Sequence, residues 1–229
     1  MQEGTIGRRE MIAGTGAMAL ASVLGGRGLA QGGETKKIVA INGSPRGGKT
    51  TAAALGICLE AAAKENPSLE TELIELADLS IPAQLAAGLA LREGEKDDFP
   101  EIAKKLSDPS VAGILIGSPV YFSNMTALCK AFLDRCISFR KGGFTLQNKV
   151  AGVVSVGGAR NGGQEVTIQS IQAALACQDM ILVGTGKPSG RSGATLWSVE
   201  DSIEQDEFGK GLAADLGKRV AEVAALSVN

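Results

Sequence analysis

Histidine is absent from this sequence. Its absence removes His-based triads, imidazole general bases and most zinc sites. Aromatic residues are almost missing as well: one Trp, one Tyr and six Phe amount to 3% of the chain. The four cysteines, Cys58, Cys129, Cys136 and Cys177, form no C-x-x-C pair. Cys129 and Cys136 fall on one expected helix, about 10 Å apart by helical rise and too far for a disulfide. All four are expected to be small buried hydrophobes. A charge surplus is missing too, the formal net charge being -2. That balance offers no attractive field to nucleic acid or anionic lipid, so neither partner is expected. With so few reactive side chains, any redox chemistry has to come from a bound cofactor.

What is plentiful is glycine, at 31 residues, which suits close backbone approach and tight turns. A composition 44% hydrophobic and 21% charged describes one globular domain, expected over residues 31–229, behind a short appendage over 1–30. In that appendage Arg8-Arg9 precede a modestly apolar run from Met11 to Gly26, and Gly28-Leu29-Ala30 offers a cleavage site. The arginine pair with Glu10-Met11-Ile12 resembles a twin-arginine signal, which implies export to the periplasm of a protein already folded around its cofactor. The run is too short and Gly-rich for a membrane span. Removing residues 1–30 takes away three arginines and two glutamates, which leaves a net charge of about -3.

The remainder alternates strand and helix. Strands are predicted at Lys37–Asn42, Glu70–Leu76, Ala112–Gly117, Val150–Val156 and Met180–Val183, the second more exposed and the other four buried. Helices are predicted at Thr50–Lys64, Phe99–Leu106, Met125–Ile137, Val166–Cys177 and Glu204–Leu226. Buried strands separated by helices imply a parallel sheet covered on both faces. Such sheets take ligands beyond the carboxyl ends of their strands, so the loops after Asn42, Gly117 and Val156 are the places to search.

The first of these, Gly43-Ser44-Pro45-Arg46-Gly47-Gly48-Lys49-Thr50, joins a strand to a helix. Glycines let backbone N–H groups converge on an anion, and the helix N-terminus adds its positive end. Ser44, Thr50 and Thr51 offer hydroxyl donors, and Arg46 and Lys49 bring charge. The eight residues also satisfy the pattern G-x-x-x-x-G-K-[ST], so a P-loop nucleotide-binding protein is the rival. That rival needs an acid for magnesium at the end of a second buried strand. The best such strand here ends in Ser118-Pro119, and Asp78 follows only a weak one.

The other two loops separate these readings. Gly117-Ser118-Pro119-Val120-Tyr121-Phe122-Ser123-Asn124-Met125-Thr126, with Ala131-Phe132-Leu133-Asp134-Arg135 after it, resembles the NADPH-dependent FMN reductase and iron-sulfur flavoprotein family. Gly157-Gly158-Ala159-Arg160-Asn161-Gly162-Gly163-Gln164-Glu165 and Gly43-Ser44-Pro45-Arg46 resemble two further loops of that family. The resemblance implies a flavodoxin-like three-layer α/β sandwich, with a five-stranded parallel sheet ordered 2-1-3-4-5. It implies FMN as cofactor, NAD(P)H as reductant, a quinone, free flavin or other small molecule as acceptor, and a homo-oligomer, dimer or tetramer. Ser44, Arg46, Lys49, Thr50 and Thr51 would hold the FMN phosphate. Pro119 and Val120 would lead into a wall made by Tyr121 and Phe122, with the amides near Ser123 and Asn124 at the ring edge. Gly157, Gly158, Ala159, Arg160, Gly162, Gly163 and Gln164 would bring a second set of N–H groups to the pyrimidine end, where negative charge develops on reduction. No catalytic side chain is assigned, since FMN carries the chemistry.

One departure matters. The iron-sulfur branch of the family carries a cysteine cluster after its second strand, whereas Ile81-Pro82-Ala83-Gln84-Leu85-Ala86-Ala87-Gly88-Leu89-Ala90 holds none. Thiolate ligation of a cluster is therefore excluded there. FMN alone is expected, with no metal and with two-electron hydride transfer. An FMN electron carrier reduced by a partner protein is the alternative.

Overall fold

The computed structural model describes residues 35–226. The expected leader over residues 1–30 lies outside them. Six strands and six helices follow in the order β1 (Lys37–Asn42), α1 (Thr50–Glu65), β2 (Glu70–Glu75), α2 (Phe99–Leu106), β3 (Val111–Pro119), α3 (Ala127–Arg135), α4 (Ile137–Lys141), β4 (Val150–Gly157), α5 (Gln164–Ala176), β5 (Ile181–Leu182), β6 (Ala194–Trp197) and α6 (Glu207–Leu226). A short 3₁₀ turn covers Ala83–Ala87.

The strands pair in parallel in the order β2-β1-β3-β4-β5, with β6 also on β4. This is the flavodoxin-like order expected from the sequence. In register, Ile38–Asn42 lie beside Gly113–Gly117, and Gly113–Pro119 beside Val150–Val156. Alternation along β1 divides the core between two faces. Ile38 and Ala40 pack with the apolar sides of α1 and α6, while Val39 and Ile41 pack with those of α2, α3 and α5. Burying one large aliphatic side chain is worth about 1.5–3 kcal/mol, and β1 buries three completely, Ile38, Val39 and Ile41, beside Ala40. The strand order reverses between β1 and β3, which opens a crevice at their carboxyl ends.

The structure corrects the sequence reading in several places. The expected buried strand Met180–Val183 is only Ile181–Leu182, and both residues are partly exposed at the sheet edge. An edge strand has no neighbour on its outer side, and an apolar run does not reveal its place in the order. Past Val183 the chain leaves the sheet, and the Thr185 N–H donates to the Arg191 carbonyl at 2.9 Å to close a loop. It then returns as β6, which the sequence did not reveal. The fifth position is thus shared, β5 covering Val150 and Ala151, and β6 covering Val154–Gly157. The long helix expected over Met125–Ile137 is two, α3 and α4, meeting at Cys136. The last helix begins at Glu207 and not at Glu204. Cys58, Cys129 and Cys136 are buried as expected, but Cys177 is exposed at the end of α5.

Candidate functional site

The loop between β1 and α1 leaves the helix N-terminus open. Lys49 occupies the capping position without a side-chain cap bond, and the first turn holds no acidic residue. The leading N–H groups of α1 therefore keep their donors and partial positive charge. Ser44 shapes the approach: its hydroxyl accepts from the Arg46 N–H at 3.1 Å, and its own N–H donates to Asn42 Oδ1 at 3.0 Å. Gly48 has a φ of 66° and nothing within 4 Å of where a Cβ would stand, so the loop has open space beside it. Ser44, Thr50 and Thr51 are buried, whereas Arg46 and Lys49 stand out in solvent.

The second loop is held against the first by Thr126. Its hydroxyl caps α3 by accepting from the Cys129 N–H at 3.0 Å, and donates to the Gly43 carbonyl at 2.5 Å. Its N–H donates to Ser118 Oγ at 3.1 Å. Beyond β3, the Val120 N–H donates to the Val156 carbonyl at 2.9 Å, so the start of this loop stays in register with β4. Tyr121 and Asn124 then exchange backbone bonds of 2.8 and 3.1 Å around Phe122 and Ser123. Both central residues have positive φ, 50° and 57°. That is the geometry of a tight hairpin turn usually built from Asn-Gly, and it costs non-glycine residues about 1–2 kcal/mol each. The strained turn leaves the Phe122 ring wholly exposed and Tyr121 about half exposed.

The third loop closes on the second. Gly163 has a φ of 104°, and a Cβ there would stand 2.8 Å from Ser123 Cα, so glycine is required for the two loops to touch. Gln164, the buried first residue of α5, spends its whole amide on the loop and on the neighbouring strand β6. Its Nε2 donates to the Ala159 and Leu196 carbonyls at 2.7 and 3.1 Å, and its Oε1 accepts from the Gly162 N–H at 2.8 Å. Gln164 is thus a brace for the loop in this conformation. Gly158, Ala159 and Arg160 are exposed, and Gly157 is buried at the strand end.

Three residues of this region escaped the sequence reading. Glu75 at the end of β2 accepts from Asn42 Nδ2 at 2.6 Å and from the Gly48 N–H at 3.2 Å, placing a carboxylate beside the first loop. Asp201 takes Arg46 Nη1 on both carboxylate oxygens, at 2.8 and 3.0 Å. It sits in a second turn of the same kind, where Val199 and Ser202 exchange backbone bonds and Glu200 and Asp201 have φ of 50° and 60°. Trp197, at the end of β6, lies under the Arg160 guanidinium at 5.3 Å. No local pattern marks these contacts, because each joins segments distant in sequence.

Burial pushes the Cys129 thiol, beneath the first loop, up to about 12, although the Ser118 hydroxyl offsets part of the rise. Burial also drives the Cys136 thiol up. Neither is a thiolate near neutral pH, so neither acts as a nucleophile there. Among the described residues, no group of three or more Cys, Asp or Glu side chains is placed to hold a metal ion.

The three sequence-predicted loops therefore meet at the carboxyl ends of β1, β3 and β4. An uncapped helix start with open glycines fits a phosphate monoester. A rigid turn bearing exposed aromatics, against a loop of accessible N–H groups, fits a flat heteroaromatic ring. The residues present suit FMN.

Comparisons with known proteins agree. The family model for NADPH-dependent FMN reductase matches residues 36–194. The chain is 40% identical over 194 residues to an iron-sulfur flavoprotein of Methanocaldococcus jannaschii, covering 83% of this chain and 98% of that protein. It is 30% identical over 181 residues to an NAD(P)H dehydrogenase (quinone) of Chromohalobacter salexigens, covering 68% of this chain and 82% of that one. The fold is similar to a flavodoxin, WrbA-like protein from Agrobacterium tumefaciens, with TM-score 0.54, 19% identity, and coverage of 84% of this chain and 99% of that one.

Proposed function

The chain belongs to the NADPH-dependent FMN reductase family and is an FMN-containing oxidoreductase, and from that premise we propose that it takes hydride from NAD(P)H and passes electrons to a small acceptor such as a quinone or free flavin. The observation that carries this reading is the convergence of the three loops beside an uncapped helix start. FMN, when bound, supplies the group that accepts hydride and releases electrons. Every other task falls to the chain. The N-terminus of α1, with Ser44, Thr50 and Thr51, holds the phosphate, and Arg46 and Lys49 lend charge from the rim. The turn at Tyr121–Asn124 holds Tyr121 and Phe122 where they would form a wall against the ring and exclude water from it. The N–H groups of the Gly158–Gly163 loop, other than that of Gly162, which Gln164 Oε1 takes, would offer donors to the ring edge where negative charge builds on reduction. With FMN bound, that preorganisation would favour its reduced, negatively charged state.

The loop over 81–90, cysteine-free, supports flavin without a cluster. The arginine pair at Arg8-Arg9 and the small residues before Gln31 support export by the twin-arginine route to the periplasm. Assembly into a dimer or tetramer is part of the same proposal. No helix among the described residues is long and apolar enough to cross a membrane.

The test is stopped-flow mixing of the purified yellow protein with NADPH and with NADH. Bleaching of the flavin by either, followed by reoxidation on adding a quinone, is the expected result. Bleaching by neither refutes the reductase and leaves the electron carrier.

A further inference from the structure

Beside the third loop lies a cavity of about 450 Å³, within the range of small-molecule sites. The loop of Gly157–Gly163, β6 and the start of α6 enclose it. Its wall includes Arg160, Arg191, Glu165, Trp197, Asp206 and Phe208. None of the phosphate-loop or Tyr121–Asn124 residues lines it, but Arg160 and Gln164 of the third loop do, so it adjoins the flavin site along that loop.

The chemistry of the wall is asymmetric. Asp206 is buried and consumed internally, accepting from the Trp197 and Gly209 N–H groups at 2.9 and 3.0 Å and from Arg160 Nη2 at 3.2 Å. It offers nothing to a ligand. The Trp197 indole Nε1 is buried and has no hydrogen-bond partner. An orphaned buried donor is costly and marks a place where an acceptor belongs. Among the described residues the exposed Arg191 guanidinium makes no hydrogen bond or ion pair, so its donor fork is free. Glu165 is the one carboxylate on the wall left uncommitted, and it stands exposed on the first turn of α5. Flat surfaces are present as well: the indole, with Arg160 over one of its faces, and, elsewhere on the wall, the half-exposed Phe208 ring.

We propose that this cavity binds a flat aromatic molecule carrying an oxyanion, its ring against Trp197 and Phe208 and its charge on Arg191 and the indole N–H. Two sources share that chemistry: a small aromatic acid serving as electron acceptor, and the phosphorylated ribose of a nicotinamide dinucleotide. The assignment of the occupant as a redox substrate rests on the flavin reading above, whereas occupancy of the cavity does not.

Trp197 is the only tryptophan in the chain, so all tryptophan fluorescence comes from the wall of this cavity, and the FMN-free sample reads it without interference from the flavin. The full chain, with and without FMN, is titrated with benzoate and with adenosine 2′-phosphate, and with the neutral partners benzamide and adenosine. Isothermal titration calorimetry on the same samples covers a silent fluorophore. A saturable response to one oxyanion probe is expected, at least about tenfold tighter than to its neutral partner. Arg191→Ala, an exposed position, is expected to weaken it by a similar factor. Trp197→Phe, which keeps a ring and removes the N–H, is expected to weaken it by about threefold to tenfold in calorimetry. Benzoate alone identifies the aromatic acid, and adenosine 2′-phosphate alone identifies the dinucleotide. No heat and no fluorescence change with either probe, equal affinity for the neutral partners, or indifference to Arg191→Ala overturns the proposal. Failure to take up FMN with probe binding intact would sink the flavin reading and leave the cavity assignment standing.

Discussion

Arg46 and Asp201 hold each other in an exposed ion pair at the lip of the phosphate loop, Nη1 alone donating to both carboxylate oxygens. An exposed pair contributes at most about 1 kcal/mol, so an incoming phosphate competes with the carboxylate for Arg46 at modest cost. Asp201→Asn should therefore tighten FMN by up to about fivefold while leaving riboflavin, which lacks the phosphate, unchanged; fluorescence-quenching titrations with the two flavins read the difference. Equal effects on both would place Asp201 in ring recognition. At the opposite end of the site the limiting residue is Gly163. Gly163→Ala sets a methyl against the Ser123 backbone in a left-handed conformation. It should cost about 1–3 kcal/mol in urea unfolding and weaken FMN by at least about tenfold, because the two loops can no longer touch.

At the scale of the element, two turns carry the strain. Phe122-Ser123 and Glu200-Asp201 each place consecutive non-glycine residues in left-handed conformations, and both turns face the site. Strain of this kind persists only where the surroundings over-determine it. Replacing the first by the favoured pair, Phe122→Asn with Ser123→Gly, should raise unfolding stability by about 1–2 kcal/mol. The same double variant should lower turnover with NAD(P)H, since it removes the exposed ring. A gain in stability with unchanged turnover would assign the turn to architecture alone. The elements themselves were largely visible in the chain: Lys37–Asn42 and Phe99–Leu106 stand where periodicity puts them, because their apolar pattern is local. The break between α3 and α4 was not visible, since an apolar stripe at helical spacing continues through Cys136 without a glycine or proline.

Over the whole molecule, three buried thiols set the alkaline limit. Burial raises Cys58 and Cys129 to about 12 from 9.0 and pushes Cys136 up as well. The unfolded chain releases these protons above pH 9 while the folded chain retains them, so stability falls as pH rises from 9 towards 12. Each thiol contributes a slope of about 1.4 kcal/mol per pH unit in that window. Lys149 acts in the opposite sense: burial lowers its pKa, so stability rises with pH between that lowered value and 10.5. Lys37 and Lys210, raised from 10.5, add to the loss only above that pH, so from pH 9 to 10 three thiols stand against Lys149 and the net is a loss. Urea midpoints at pH 8, 9 and 10 should decline progressively, and Cys136→Val should flatten the decline. A midpoint that climbs from pH 9 to pH 10 would mean that the lysine dominates.

By itself the sequence determined the alternation of strand and helix, the glycine loops after β1, β3 and β4, and the absence of cluster-binding cysteines, because each is written in neighbouring residues. Through resemblance to its family it also determined FMN. Only the tertiary structure decided which strand lies at the edge, that β6 completes the fifth position, and that Asp201, Glu75 and Trp197 border the site. Those contacts join segments as far apart as Arg46 and Asp201, and no pattern along the chain encodes which distant side chains will face each other once the two halves of the core close on the sheet.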